Sequence, residues 1–503
     1  MSTATPTTPT APIPPIPAEL QAHLDAAPRQ LWHRGRWADA ADGATYPVVD
    51  PATGAEVARV PDARAADAVA ALDAVVEAGP ALVAMAPRAR GEVLRRAYEL
   101  MVERTDALAA VMTIEMGKAL AESRAEIAYA AEFFRWFSEE AVRVGGEWRR
   151  DPAGGYDLLT TRRPVGPVVI LTPWNFPLAM ATRKIGPAIA AGCPMVWKPA
   201  EDTPLSALLL AGILGEAGLP DGALEVLTGP RSEELVAPLL SDPRTRKLTF
   251  TGSTRVGRLL AAQAAERLLH CTFELGGNAP FLVFDDADVD AALEGAMVAK
   301  MRNIGESCVA ANRFLLHDSV FDSFAEQLGT RMRALSVGPG YTDAAVGPLI
   351  NLRQRDRVAA LVRDALDRGA TALCGGDPAD VPPGEGFFYP PTVLVGVPAD
   401  ARLLHEEIFG PVAPLVRFAD EAEALRLANG VDEGLVAYAY TRDIGRARRV
   451  AGALESGMVG LNRGLVSNPA APFGGVKQSG YGREGGREGI EAYLDVTYVA
   501  LGS

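Results

Sequence analysis

The chain has 503 residues, against roughly 100–200 per domain, so two or three domains with sizeable cores are expected. Lys and Arg total 49 against 63 Asp and Glu, a net charge of −14, and this acidity, spread along the chain, disfavours non-specific binding to nucleic-acid phosphate. Hydrophobic residues at 48% and charged residues at 22% match an ordinary globular composition and exclude fibrous or wholly disordered classes.

Residues 1–17 (MSTATPTTPTAPIPPIP) lack the basic and apolar regions of a secretory leader and the arginines of a mitochondrial presequence. They are expected to form a disordered or polyproline-like tail. Between residues 88 and 116, apolar residues recur at helical spacing (Val93, Leu94, Tyr98, Leu100, Met101, Leu108, Val111, Met112), predicting helices on the outside of a domain. A polar, turn-rich insertion, VGGEWRRDPAGGYDLLTTRR, follows.

From Val165 the rhythm alternates: VGPVVILT, PMVWK, ALEVLTG, KLTFTG and CTFEL read as strands, separated by the helical AMATRKIGPAIAAG, LSALLLAGILGEAG, SEELVAPLL and TRVGRLLAAQAAERL. Short strands between such helices predict a right-handed parallel α/β sheet of nucleotide-binding type. A second cycle opens with APFLVFDD after Gly276-Gly277 and runs through VAPLVRF and GMVGLN, so a second α/β domain is expected. The insertion and the terminal AYLDVTYVAL form either a small dimerising sheet or surface hairpins. The longest apolar stretches, such as residues 205–214, are about half of a bilayer span, so no transmembrane helix is expected.

Five histidines include no HExxH, and Cys193, Cys271, Cys308 and Cys374 have no metal or redox spacing, which predicts no metal site and a reducing, cytoplasmic compartment. Residues 252–257 (GSTRVG) open a helix after a strand but match neither a Walker A loop nor GxGxxG. They read either as a phosphate turn or as a tightly packed helix start. Cys308 stands in a polar turn, RNIGESC. A free thiol is only a few per cent thiolate at neutral pH, so a nucleophilic Cys308 needs an activating partner. Glu274, at the carboxyl end of CTFEL, is the candidate.

With these segments in hand, the sequence resembles the aldehyde dehydrogenase superfamily from about Trp32 to the C-terminus. Its motifs occur in the family's order: 173–177 (PWNFP), 198–201 (KPAE), 250–253 (FTGS), 274–277 (ELGG), Cys308, 407–411 (EIFGP) and 472–475 (PFGG). Cys308 follows Glu274 by 34 residues, as in the family. The resemblance implies an α/β fold in three parts. These are a Rossmann-like parallel-sheet NAD-binding domain (28–142 and 166–275), an α/β catalytic domain (276–475) and a small β oligomerisation element (143–165 and 488–503), in a homodimer or homotetramer.

The resemblance also implies roles. Cys308 attacks an aldehyde, Asn175 and the Cys308 N–H hold the oxyanion, and Glu274 activates the water that releases the acid, with Glu484 as a secondary base or proton relay. Lys198 and Glu201 would hold the adenosine ribose, and Gly229, Gly252, Ser253 and Gly257 would line the adenine and pyrophosphate region. Thr172, Pro173, Trp174, Phe250, Thr251 and Leu275 complete the cofactor set, with Glu407 and Phe409 at the nicotinamide. A carboxylate at Glu201 bonds a 2′-hydroxyl and repels a 2′-phosphate, so NAD is expected over NADP.

The resemblance is nearest to the succinate-semialdehyde dehydrogenase branch (TRK, KPAEDTP, RNxGxxCV, PFGGVKQSGxGRE), in which Arg183, Arg302 and Ser467 match residues that bind the substrate's distal carboxylate. The alternatives are glutarate semialdehyde, another ω-oxo acid, or a broader aldehyde range. Two departures from the family stand near the cysteine: Glu306 where Gln is common, which would raise the thiol pKa or pair with an arginine, and Ala310 where some relatives carry a second cysteine. Arg463 either favours an acidic substrate further or faces solvent.

Overall fold

Alternating apolar strands and helices build two large sheets in this computed structural model, which describes residues 13–342, 344–377 and 386–502. The first twelve residues of the expected tail lie outside the described residues; the rest of it lays Ile13 and Ile16 against the buried cluster of Ala52, Tyr341 and Phe388.

In the first sheet, the strands Leu224–Val226, Met195–Lys198, Val168–Leu171, Lys247–Thr251 and His270–Glu274 lie side by side in that order, all parallel. The antiparallel hairpin Leu31–His33 and Arg36–Ala38 flanks one edge and Gly480–Tyr481 the other. The chain starts at the central strand Val168–Leu171, steps outward to Leu224–Val226, then returns to Lys247–Thr251 on the opposite side. Such a reversal opens a crevice at the carboxyl ends of the two central strands, where α/β sheets take their ligands. The register pairs Leu171 with Phe250 and with Lys198, which sets the segments beginning at Thr172, Thr251 and Pro199 around that crevice.

The second sheet places Thr392–Val395, Val412–Phe418, Ala311–His317, Ala279–Val283, Val436–Tyr440 and Met458–Leu461 in parallel order, with Thr371–Cys374 antiparallel at one edge. The chain enters it directly from His270–Glu274 through Gly276 and Gly277, so the two sheets meet at the end of the strand carrying Glu274. The turn-rich insertion and the C-terminal segment join in one antiparallel sheet of Glu147–Arg150, Asp157–Pro164 and Leu494–Leu501, paired from Leu494 with Pro164 to Leu501 with Asp157.

One helix departs from the sequence reading. Pro87–Glu103 is amphipathic at the surface, but in Thr105–Met116 every residue from Leu108 to Met116 is buried among Ala18–Ala26, Leu120–Glu140 and Pro204–Glu216. Its apolar residues cover the whole circumference, so it has no face to give to solvent. Its polar residues are absorbed locally: Glu115 accepts the N–H groups of Leu205 and Ser206, both at 2.8 Å, and so satisfies free donors at the start of Pro204–Glu216. Among the described residues no single helix is long and apolar enough to cross a membrane.

The loop carrying Ser467 is set by close backbone approach, since a Cβ on Gly464 would lie 2.1 Å from the Gly295 carbonyl oxygen. Gly464→Ala is expected to cost about 1–3 kcal/mol, whereas Gly452→Ala, with open space around its Cβ, stabilises by up to about 1 kcal/mol. Urea midpoints of the two variants measure this difference directly.

Candidate active site

Cys308 is delivered by a strained turn. After the helix Val289–Met301 the chain passes through Asn303 (φ 55°), Ile304 (φ 61°) and Gly305 (φ 77°), three successive left-handed residues. Non-glycine residues hold that conformation only where the surroundings over-determine it. Here Glu122 accepts the Asn303 N–H at 2.6 Å, and the Asn303 side-chain amide donates to the carbonyls of Asn175 and Glu306, both at 2.9 Å. A Cβ on Gly305 would lie 2.3 Å from the Gly410 carbonyl oxygen, so the turn is closed from the other side as well.

The opposite wall is the 173–177 turn, whose Asn175 amide donates to the Glu306 carbonyl at 3.0 Å. One of the two Asn175 N–H donors is thereby engaged and the second is left for a ligand. No backbone carbonyl among the described residues takes the Cys308 N–H. Glu274 closes the strand His270–Glu274, fully buried, and neither carboxyl oxygen has a hydrogen-bond partner among the described residues. Behind it, Lys184 donates to Glu484 and, at 2.6 Å, to the Thr251 hydroxyl. The structure therefore brings Asn175, Glu274, Cys308 and Glu484 into one region from four separate parts of the chain.

Burial dominates the electrostatics. It pushes the Cys308 thiol up to about 12, with the nearby Arg183 cation opposing and the Glu407 and Glu274 carboxylates adding. Burial, reinforced by the Glu484 charge, holds Glu274 well above the usual carboxylate range against the pull of Lys184 and Arg183. Burial thus raises the pKa of both the thiol and the carboxyl. Glu306 follows neither alternative read from the sequence. Its Oε1 accepts the Ile350 N–H at 3.2 Å, and burial keeps its carboxyl well above the ordinary range, so it is neither an arginine partner nor among the charges acting on the thiol. Ala310 is buried and Arg463 is exposed to solvent.

The two arginines differ. Arg183 is already engaged inside the protein: its Nε stands 3.4 Å from Glu484, its Nη2 donates to the Tyr129 hydroxyl at 2.8 Å, and its guanidinium lies 4.0 Å over the Phe473 ring. Of the two readings open for it, a substrate contact or a partner of an acidic residue, Arg183 shows the second, since Glu484 neutralises part of its charge. Arg302 is half-buried, stacked over Phe176 at 4.8 Å and Tyr129 at 5.7 Å, and makes no ion pair among the described residues. Ser467 is half-buried on its loop.

The crevice at the first sheet's switch point is a cavity of about 550 Å³, within the range of small-molecule sites. Thr172, Pro173, Trp174, Lys198, Glu201, Phe250, Thr251 and Gly252 all line it, joined by Arg255. Lys198 stands 3.6 Å from the Glu201 carboxylate and also donates to the Pro199 carbonyl at 3.0 Å. These residues fit a dinucleotide: a carboxylate for ribose, cations for phosphate, an apolar wall, and a helix beginning at Thr254, capped by Ser253. Gly257 and Gly229 serve packing. A Cβ on Gly257 would lie 2.5 Å from Leu275, and one on Gly229 3.2 Å from Leu235. Glu407 accepts the Gly277 N–H at 3.1 Å, and Phe409, left-handed at φ 57°, sets its ring edge-to-face with Trp174 at 5.4 Å.

Sequence reasoning missed the residues that hold these pieces. Gln354 donates to the Phe409 carbonyl at 2.6 Å and Arg357 to that of Ile408 at 3.2 Å, anchoring the 407–411 loop. Lys118, Glu122, Glu126 and Asn303 anchor the cysteine and asparagine turns. Only Asn303, inside the RNxGxxC pattern, carried a local signal.

The profile of the Aldehyde dehydrogenase family matches residues 37–499. A succinate-semialdehyde dehydrogenase of Paenarthrobacter nicotinovorans is 53% identical over 446 residues, 88% of this chain and 98% of the relative. A glutarate-semialdehyde dehydrogenase of Pseudomonas aeruginosa is 47% identical, covering 94% of this chain and 98% of that one. Among solved structures, that of an E. coli NADP-dependent enzyme superposes with a TM-score of 0.93 at 46% identity, covering 96% of this chain and 99% of the other. The chain belongs to the aldehyde dehydrogenase family, whose members oxidise aldehydes with a nicotinamide cofactor.

The raised pKa of the half-buried Cys308 thiol makes a direct prediction. Below its pKa the thiolate fraction grows about tenfold per pH unit, so alkylation of cofactor-free enzyme by iodoacetamide accelerates about tenfold per unit from about pH 7 to 9. A plateau in that range means the thiol is not governed by burial.

Proposed function

We propose that this enzyme oxidises a short aldehyde bearing a distal carboxylate, succinate semialdehyde foremost, to the corresponding acid with NAD. The observation that carries the substrate class is Arg302, a half-buried guanidinium without an acidic partner among the described residues, stacked on aromatic rings beside the turn that delivers Cys308. A planar fork of donors in that setting suits a carboxylate, with Ser467 and the buried Arg183 as further contacts. Glutarate semialdehyde is the second reading, supported by the Pseudomonas relative of that name.

In the mechanism, the Cys308 sulfur adds to the aldehyde carbon and its proton passes to Glu274 in the ionised form. The thiohemiacetal oxyanion lies against the free Asn175 N–H and the Cys308 N–H, donors fixed before charge develops. When bound, the nicotinamide cofactor supplies the hydride acceptor, positioned by Glu407 and Phe409. Once Glu274 has given up the thiol proton, its carboxylate takes a proton from the water that cleaves the Cys308 thioester, which frees the acid and the Cys308 sulfur. Glu484, held by Lys184, relays each proton onward. The first sheet serves as the cofactor domain and the second as the catalytic domain. The three-stranded sheet, which exposes Trp148, Val496, Tyr498 and Leu501, meets a second copy.

Glu201 in the cavity supports NAD, because its carboxylate suits a ribose hydroxyl and already partners Lys198. Arg255 in the same cavity is the observation that favours NADP instead. Initial rates are expected to give a higher kcat/KM with NAD, and Glu201→Gln to move the ratio toward NADP. A higher kcat/KM with NADP in the unmodified enzyme overturns the assignment.

Arg302→Ala is expected to lose about 1.5–3 kcal/mol of transition-state binding for the semialdehyde, about 10- to 150-fold in kcat/KM. It should change little for a neutral aldehyde of equal length. Equal losses on both substrates reject the carboxylate role.

A further inference from the structure

The helix Leu120–Glu140 carries none of the family's motifs, yet one of its faces reaches both halves of the active site. Glu122, Glu126 and Tyr129 follow at spacings that share a face. Glu122 accepts the Asn303 N–H on the cysteine turn, and Tyr129 accepts from Arg183. Glu126, between them, is fully buried: its Oε1 accepts the N–H groups of Leu178 at 3.0 Å and Ala179 at 3.2 Å, at the start of the helix Ala179–Ala191. Its Oε2 takes the Lys118 ammonium at 2.5 Å, and both side chains are shut off from solvent.

Lys118 spends its remaining contacts on the 173–177 turn. Its Nζ donates to the Asn175 carbonyl at 2.7 Å and lies 4.4 Å over the Phe176 ring. The same carbonyl is also the acceptor of the Asn303 amide. Two donors converging on one carbonyl fix the Asn175 peptide plane, and the direction of the Asn175 side chain follows from that plane. A buried ion pair is seldom retained for stability, because well-packed apolar residues usually do as well. Directional donors at this carbonyl are something an apolar pair cannot supply. Charge facing Lys118 comes from Glu126 and Glu122, opposed by Arg302, while burial itself lowers its pKa.

We propose that Lys118, held by Glu126, is a positioning residue of the oxyanion site: it aims the Asn175 amide through the Asn175 carbonyl and touches no substrate. This rests on the oxyanion role of Asn175 given above.

A double-mutant cycle tests it. Lys118→Met leaves Glu126 buried and unpaired, so Lys118→Met with Glu126→Gln, which removes both charges and keeps an acceptor for Leu178 and Ala179, is the principal variant. A small displacement of a catalytic group costs about 10²-fold. The expected result is a loss of that order in kcat with aldehyde KM and NAD affinity unchanged, and rescue to within about tenfold by Lys118→Arg. In an Asn175→Ala background the same pair of substitutions should change kcat less than about threefold, because the amide being aimed is gone. An equal loss in both backgrounds, or full kcat in the charge-free pair, overturns the proposal. If Asn175→Ala alone leaves kcat intact, the oxyanion reading of Asn175 fails and the positioning role fails with it. Iodoacetamide labelling of Cys308 in every variant reports separately that the cysteine turn is formed.

Discussion

A reciprocal pair of hydrogen bonds, from the Asn175 amide to the Glu306 carbonyl at 3.0 Å and from the Asn303 amide to the Asn175 carbonyl at 2.9 Å, joins the two turns that carry the candidate site. Asn175 belongs to the turn after the central strand of the first sheet, Asn303 and Glu306 to the strained turn before a strand of the second. Neither turn is regular structure, and neither would hold its shape alone. The left-handed residues Asn303 and Ile304 persist because Glu122, Asn175 and Gly410 enclose them on different sides, so local strain is balanced by tertiary hydrogen bonds.

Around that joint the protein buries an unusual number of charges. Lys118, Glu126, Arg183, Lys184, Glu274, Lys300, Glu306 and Glu484 are all nearly inaccessible. Two solutions are used. Lys118 with Glu126 and Lys184 with Glu484 are paired at contact distance, which makes up for the loss of water. Among the described residues Glu274 and Glu306 have no cation at contact distance, and burial raises the pKa of both carboxyls well above the ordinary range. Lys300 is intermediate, bonded among the described residues only to the neutral Asn312 and the Gly410 carbonyl, with its pKa driven down to about 7. A carboxyl whose pKa is raised by burial fits a site that must accept protons at about neutral pH.

Much of this was legible in the chain. Alternating strands and helices announced the α/β cycles, since a parallel sheet covered on both faces needs apolar strands joined by helical crossovers. Cys308, Glu274 and Asn175 stood out through short motifs because each is placed by its own turn or strand end. Eight expected cofactor residues share one cavity for the same reason: they sit at the carboxyl ends of adjacent strands. The helix Thr105–Met116 was misread as peripheral because period alone does not distinguish a surface stripe from an all-round apolar helix. The pairing of Arg183 with Glu484 was not legible because the two lie 301 residues apart in the chain.

The sequence by itself determined the element order and the family and singled out Cys308, Glu274 and Asn175 as candidates, all properties of local pattern. Only the tertiary structure decided that Arg183 pairs with Glu484 while Arg302 makes no ion pair among the described residues, that Glu306 turns to Ile350, and that Lys118 and Glu126 brace the asparagine turn. These are matters of charge pairing across distant segments. Pairing energy depends on separation in space and on exclusion of water, and the order of residues along the chain specifies neither until the chain has folded.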